Sequence, residues 1–271
     1  MTIKIIATDL NGTLLHNDQR YNRDLFRAVL AQLETRQISL VLASGNEYAH
    51  LRDLFATTLA PNLVMVAENG ASIYQADQQI FDGSLSAADV TQFVAVDRHQ
   101  DFLQDTYIIL TGKMASYTEL GAPQQLIDAA EAYYDNLQQV TSLATVADQI
   151  KKISVTTQPD QAQELVTRLN TYFEGRLHAH DSGYGVIDIV AANVGKLPAV
   201  QWLMARQGVT TAEVMAFGDG ANDVPLLQFA GQSFAMRNAT PEIQAMANQV
   251  TAWTNEADGV LRTIQRELLT D

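Results

Sequence analysis

Apolar residues in this chain gather in short runs that stop at polar, often glycine-containing turns. Ile3 to Leu10 is the first run and reads as a buried strand. Asn22 can cap a following helix in which Leu25, Phe26, Val29, Leu30 and Leu33 form one apolar stripe. A second run, Ile38 to Ala43, stops at Ser44-Gly45-Asn46, and a helical stretch begins near Glu47. Leu63 to Ala67 is a third strand, closed by Glu68-Asn69-Gly70. Strand–helix alternation of this kind predicts an α/β fold with a parallel, doubly wound, Rossmann-like sheet.

The rhythm changes between roughly residues 80 and 185. Thr106 to Leu110 and Ile153 to Thr157 read as strands, with helical stretches near Pro123–Asn136 and Pro159–Phe173. That pattern predicts a smaller α+β domain, 81–185, inserted into a core formed by 1–80 and 186–271. Alternation then resumes with a strand at Gly185 to Val190, a helix from Gly195 to Arg206 and a strand at Glu213 to Phe217. A helix near Val224–Phe229, a strand around Ser233–Met236 and helices near 240–248 and 258–269 complete the reading.

Composition narrows the function classes. With 47% hydrophobic residues, the 271-residue chain has enough apolar material for a sizeable core. Cysteine is absent, which excludes thiolate catalysis and cysteine-ligated metals. No apolar run approaches the ~18 residues needed to cross a bilayer. Asp9 interrupts the segment where a secretion signal would need apolar residues, so a cytoplasmic protein is expected. The 31 acidic residues outnumber 17 basic ones, for a formal net charge of -14. That disfavours nucleic acid and anionic membranes as partners. If the substrate is an anion, local cations have to overcome the overall field.

Four clusters fall at predicted strand or helix ends, where doubly wound folds place their ligands. In Asp9-Leu10-Asn11-Gly12-Thr13, a carboxylate leaving a strand is followed by a turn whose N–H groups can face a phosphate. The plainer reading is a capping aspartate. Ser44-Gly45-Asn46 offers a hydroxyl and helix-start amides, an anion site or an ordinary cap. Lys196, in Asn193-Val194-Gly195-Lys196, offers a cation at a helix start. In Gly218-Asp219-Gly220-Ala221-Asn222-Asp223, two acids four positions apart suit a hard cation with oxygen ligands.

The order and spacing of these clusters resemble the haloacid dehalogenase (HAD)-like phosphatases, and more closely their Cof-type sugar-phosphatase branch with a large α/β cap. The resemblance extends to Ala67-Glu68-Asn69-Gly70-Ala71, Gly183-Tyr184-Gly185 with Ile187-Asp188, and Ser233-Phe234-Ala235-Met236 with Asn238-Ala239. It implies that Asp9 attacks phosphorus and that Thr13, Ser44, Gly45, Lys196 and Asn222 serve phosphate and substrate. It further implies Mg²⁺ held by Asp9, Asp219 and the backbone carbonyl of Asn11, with Asp223 supporting the metal through its water shell. The substrate class implied is a small phosphate ester, in the first place a sugar phosphate.

One position departs from the family. Asn11 stands where its members carry a second aspartate, which protonates the leaving oxygen and then activates water. An amide does neither, and general acid–base catalysis is worth about 10²–10⁴ in rate. Three readings stay open: a weakened phosphatase, a phosphosugar binder without turnover, and an introduced substitution. Passing phosphate to a second sugar is a further alternative. A dinucleotide-binding dehydrogenase is disfavoured, since the first strand does not end in G-x-G-x-x-G. Among inserted-domain residues, Lys113, Lys151, His178, His180 and Tyr184 are candidates to face a sugar, with Tyr184 also a candidate hinge. Oligomeric state is not legible.

Overall fold

The computed structural model describes residues 2–99, 103, 106–131, 133, 134, 136–183 and 185–269. Strand β1 (Ile5–Thr8) lies inside an eight-stranded sheet. It is followed in the chain by β2 (Ser39–Ala43), β3 (Leu63–Ala67), β4 (Ser72–Gln75) and β5 (Gln78–Asp82). Six strands then lie in a second sheet: β6 (Tyr107–Gly112), β7 (Ser116–Glu119), β8 (Leu137–Val140), β9 (Ile150–Thr156), β10 (Leu177–Gly183) and β11 (Val186–Ala191). The chain returns to the first sheet with β12 (Val214–Gly218), β13 (Gln232–Ala235) and β14 (Gln249–Val250).

The first sheet runs β14-β13-β12-β1-β2-β3-β4-β5, parallel as far as β3 and antiparallel at β4 and β5. Its central runs are apolar on consecutive residues because both faces are covered. Ile6 belongs to a cluster with Phe26, Val29, Leu30 and Leu33 of the helix Arg23–Thr35. Ile5 and Ala7 belong to another, with Ala199, Val200 and Leu203 of the helix Lys196–Gln207. The caps are as expected at Asn22, whose Oδ1 accepts the Leu25 N–H at 3.1 Å. Strand β1 has β12 on one side and β2 on the other, so the strand order reverses there and the carboxyl ends of these strands form the crevice of a doubly wound sheet.

Two boundaries differ from the sequence reading. Strand β5 carries the core sheet through Asp82, past residue 80. Its hairpin with β4 turns on Ala76 and Asp77, at φ 49° and 61°. No glycine advertises that left-handed turn, so the hairpin is not legible in the sequence. Strand β11, assigned above to the resumed core, pairs antiparallel with β9 and β10 in the second sheet. A short apolar run suits either sheet, and the pairing is decided by partners distant in sequence. The second sheet runs β10-β11-β9-β6-β7-β8 and is antiparallel except for β7 and β8. Its own apolar cluster includes Phe93, Leu110, Ile153, Leu169, Phe173, Ile187 and Ile189. Among the described residues no helix is long and apolar enough to cross a membrane. Tyr184 lies outside the described residues.

Candidate active site

Asp9 sits one residue beyond β1, and its N–H donates to the Phe217 carbonyl of β12 at 3.1 Å. The chain then makes a tight turn over Leu10–Leu14, with the Leu15 N–H returning to the Leu10 carbonyl at 2.8 Å. Gly12 takes φ 73° in that turn, and a Cβ built on it would lie 2.3 Å from Asp219 Oδ2. Glycine is therefore required twice over, by backbone conformation and by the close approach of a carboxylate. Thr13, fully buried, donates its hydroxyl to Asp219 Oδ1 at 2.5 Å. Asn238 holds the turn from outside, donating Nδ2 to the Gly12 carbonyl at 2.8 Å.

The turn after β12 supplies the other acids. Asp223 Oδ2 accepts the N–H groups of Asp219 and Gly220, both at 3.1 Å. Its Oδ1 accepts from Lys196 Nζ at 2.7 Å, and the same ammonium donates to Asp9 Oδ1 at 2.6 Å. Both oxygens of Asp223 are thus engaged. One oxygen from each of Asp9, Asp219 and Asp223 lies within 4.8 Å of the others. Three carboxylates around one ammonium make an all-oxygen, net-negative cradle, the donor chemistry of a hard divalent cation. The Gly12 approach fits the same group, since any larger residue would fill the space beside Asp219.

Burial is the largest influence on Asp9 and raises its carboxyl. Lys196 pulls it down while Asp223 and Asp219 push it further up, and the balance leaves it at about 7. Asp219 is also raised, by burial first, with the Thr13 hydrogen bond opposing. Burial works against the Lys196 ammonium, but Asp223 and Asp9 outweigh it and hold Lys196 above the ordinary lysine value.

Of the residues singled out from sequence, the structure joins Asp9, Thr13, Lys196, Asp219 and Asp223 by direct contact. Ser44 and Gly45 follow β2, which pairs with β1 through Thr8 and Leu42, so they sit beside the Asp9 turn. Ser44 is buried, and its Oγ accepts the Asn46 N–H at 3.1 Å. Asn222 lies half-buried in the turn Ala221–Asp223, its Oδ1 2.7 Å from where a Gly220 Cβ would stand. Asn11 is exposed, in extended conformation at φ -68° and ψ 125°.

The inserted-domain candidates fare differently. Lys113 and His178 are exposed. Lys151 is spent on Asp82 Oδ1 at 2.7 Å and Ser84 Oγ at 2.8 Å, at the connection between the two sheets. His180 pairs with Asp188 in the β10–β11 register; burial lowers it to about 4, with Asp188 opposing. Sequence reasoning missed Lys152, whose Nζ reaches the Gly45 carbonyl at 3.0 Å. Adjacent strand residues point to opposite faces, so the Lys151-Lys152 pair itself was the available signal.

Comparison with known proteins shows the family. The haloacid dehalogenase-like hydrolase family matches residues 6–264. The chain is 32% identical to the 5-amino-6-(5-phospho-D-ribitylamino)uracil phosphatase YbjI of Escherichia coli, over 99% of this chain and 97% of that protein. The crystal structure of SMU.1108c from Streptococcus mutans superposes with a TM-score of 0.93 at 30% identity, covering 99% of this chain and 100% of that one. The HAD subclass IIB sugar phosphatase BT4131 superposes with a TM-score of 0.79 over 98% of this chain and 100% of that one. At 17% identity that likeness speaks for the fold alone.

Proposed function

The chain belongs to the haloacid dehalogenase-like hydrolase family, as a phosphatase acting on small phosphorylated compounds, and from that premise we propose a Mg²⁺-dependent sugar-phosphate phosphohydrolase that works through an aspartyl-phosphate at Asp9. The observation that carries the reading is the convergence of Asp9, Asp219 and Asp223 on one point beside the Lys196 ammonium. Asp9, Asp219 and the backbone carbonyl of Asn11 would hold Mg²⁺, with Asp223 orienting the turn that carries Asp219. When bound, the ion supplies the positive charge that lets an anionic nucleophile meet an anionic phosphoryl group.

The side chains divide the remaining work. A carboxylate oxygen of Asp9 forms the bond to phosphorus as the bond to the leaving oxygen breaks. Lys196 and the Ser44 hydroxyl hold phosphoryl oxygens, Gly45 leaves the backbone open to them, and Asn222 donates an amide nearby. Thr13 keeps Asp219 in place through its short hydrogen bond. The Asn11 amide is far too weak an acid to protonate the leaving oxygen, which therefore draws its proton from solvent, and turnover is slow or confined to good leaving groups. A cytoplasmic location fits such a substrate class. Phosphorylated sugar alcohols belong in any screen, given the ribityl phosphate in the name of the Escherichia coli relative.

A second reading, a phosphosugar-binding protein without turnover, is favoured by one observation, the Asn11 side chain itself. A phosphate-release screen over sugar and sugar-alcohol phosphates, with and without Mg²⁺ and beside Asn11→Asp, separates the two. The phosphatase reading expects Mg²⁺-dependent release that rises by about 10²–10⁴ in Asn11→Asp. Ligand-induced thermal shifts with no release from either form would leave only the binder.

A further inference from the structure

The loop Ser44-Gly45-Asn46 has each of its three carbonyls held from behind. The Ser44 carbonyl accepts the Asn69 N–H and the Asn46 carbonyl accepts the Glu68 N–H, both at 2.9 Å. Those two donors come from a turn in which Glu68, Asn69 and Gly70 take φ of 47°, 55° and 99°, three left-handed residues in succession. Two of them are not glycine, a backbone strain that persists only where the surroundings enforce it. The Gly45 carbonyl is held differently, by Lys152 Nζ of strand β9, at 3.0 Å across the boundary between the two sheets.

The contact belongs to a closed ring. Lys152 also donates to Asp188 Oδ2 at 3.2 Å, and Asn69 Nδ2 donates to the same oxygen at 2.7 Å. Ser154 and Ser182 complete the acceptor, at 2.6 and 2.8 Å. Asn69 thus holds Ser44 with its backbone and Asp188 with its side chain, while Lys152 joins Asp188 to Gly45. Burial works against the Lys152 charge, but Asp188 outweighs it and keeps the ammonium protonated well above neutral pH.

The Gly45 carbonyl and the Asn46 N–H are two ends of one rigid peptide plane. With Lys152 on the carbonyl end, the N–H end points to Ser44 Oγ. An Oγ that accepts from the backbone keeps its own proton for another acceptor. We infer that Lys152 is a positioning residue, acting through the Gly45–Asn46 peptide on the Ser44 hydroxyl, so that oxyanion binding depends on the inserted domain being seated on the core. The inference rests on the reading of Ser44-Gly45-Asn46 as the phosphate loop.

Lys152→Met alone strands the buried Asp188 charge, so the test variant is Lys152→Met/Asp188→Asn, which removes the ion pair as a unit. Calorimetric titration with inorganic phosphate in the presence of Mg²⁺ is run on wild type, this variant, Ser44→Ala and their combination. The expected result is a phosphate Kd about tenfold weaker in the Lys152 variant, with Ser44→Ala adding little on top. A Kd within about twofold of wild type would overturn the inference, provided Ser44→Ala weakens binding. Fully additive losses would also overturn it, since they mean that Lys152 does not work through Ser44. If Ser44→Ala itself leaves Kd unchanged, the phosphate-loop reading fails first and takes the inference with it. Lys152→Gln/Asp188→Asn, whose amide is too short to reach Gly45, carries the same expectations should the methionine form not fold.

Discussion

Among the described residues, two of the buried lysine–carboxylate knots behave in opposite ways. In the core knot Lys196 faces Asp9 and Asp223, with Asp219 adjoining, so one ammonium serves three acids. In the knot between the sheets Lys152 pairs with Asp188, with Glu68 acting on it more weakly, and two serines and an asparagine supply further donors to that carboxylate. Burial raises both aspartates, yet Asp9 ends at about 7 while Asp188 is held below its ordinary value. The difference lies in the surroundings: repulsion from neighbouring acids adds to desolvation at Asp9, whereas the Lys152 ammonium and serine hydroxyls offset it at Asp188. A knot with surplus negative charge is poised to take a cation and do chemistry. A balanced one holds backbone in place.

Asp9→Asn attacks the comparison at its strongest point. Phosphate release should fall on the order of 10⁴-fold or more, while the melting temperature without Mg²⁺ holds or rises, because a repelling charge is gone. Activity within a hundredfold of wild type would place the nucleophile elsewhere.

Removing the balanced acid should hurt folding instead. Asp188→Ala leaves Lys152 buried and unpaired, at a cost of about 3–5 kcal/mol. Asp219→Ala, which relieves repulsion, should cost at most about 1 kcal/mol without Mg²⁺. Urea unfolding of the two variants side by side decides this, and equal costs would dissolve the distinction between the knots.

The smallest effect concerns Glu68, whose N–H holds the Asn46 carbonyl. Burial, opposed by bonds from Ser72 and the Tyr48 N–H, lifts its carboxyl from 4.5 to about 7. An acid raised on folding contributes stability that is complete below its ordinary value and is lost as pH rises through the folded one. Stability should therefore decline from about pH 4.5 to 7 by up to about 3 kcal/mol on this account, and Glu68→Gln should flatten the slope. An unchanged slope in the variant would show that Glu68 is not the group responsible.

Much of the core was legible because local rules decide it. Apolar runs under two helical layers declare themselves as strands, and strand-end residues such as Asp9 and Asp219 carry their chemistry in type and position. Val186–Ala191 shows where those rules stop: nothing in an apolar run states which sheet it will join. The β4–β5 hairpin escaped for a related reason, since Ala76 and Asp77 adopt a left-handed turn that tertiary packing imposes and composition does not announce.

The sequence by itself determined the alternation of elements, the chemical types at the strand ends and the amide at residue 11. Only the tertiary structure decided that Lys196 bridges Asp9 and Asp223, that Gly12 makes room for Asp219, and that Lys152 rather than Lys151 reaches the Ser44-Gly45-Asn46 loop. Periodicity and propensity act over a few residues, whereas a site is closed by groups far apart in the chain. Their meeting depends on strand register and sheet order, which are properties of the whole fold.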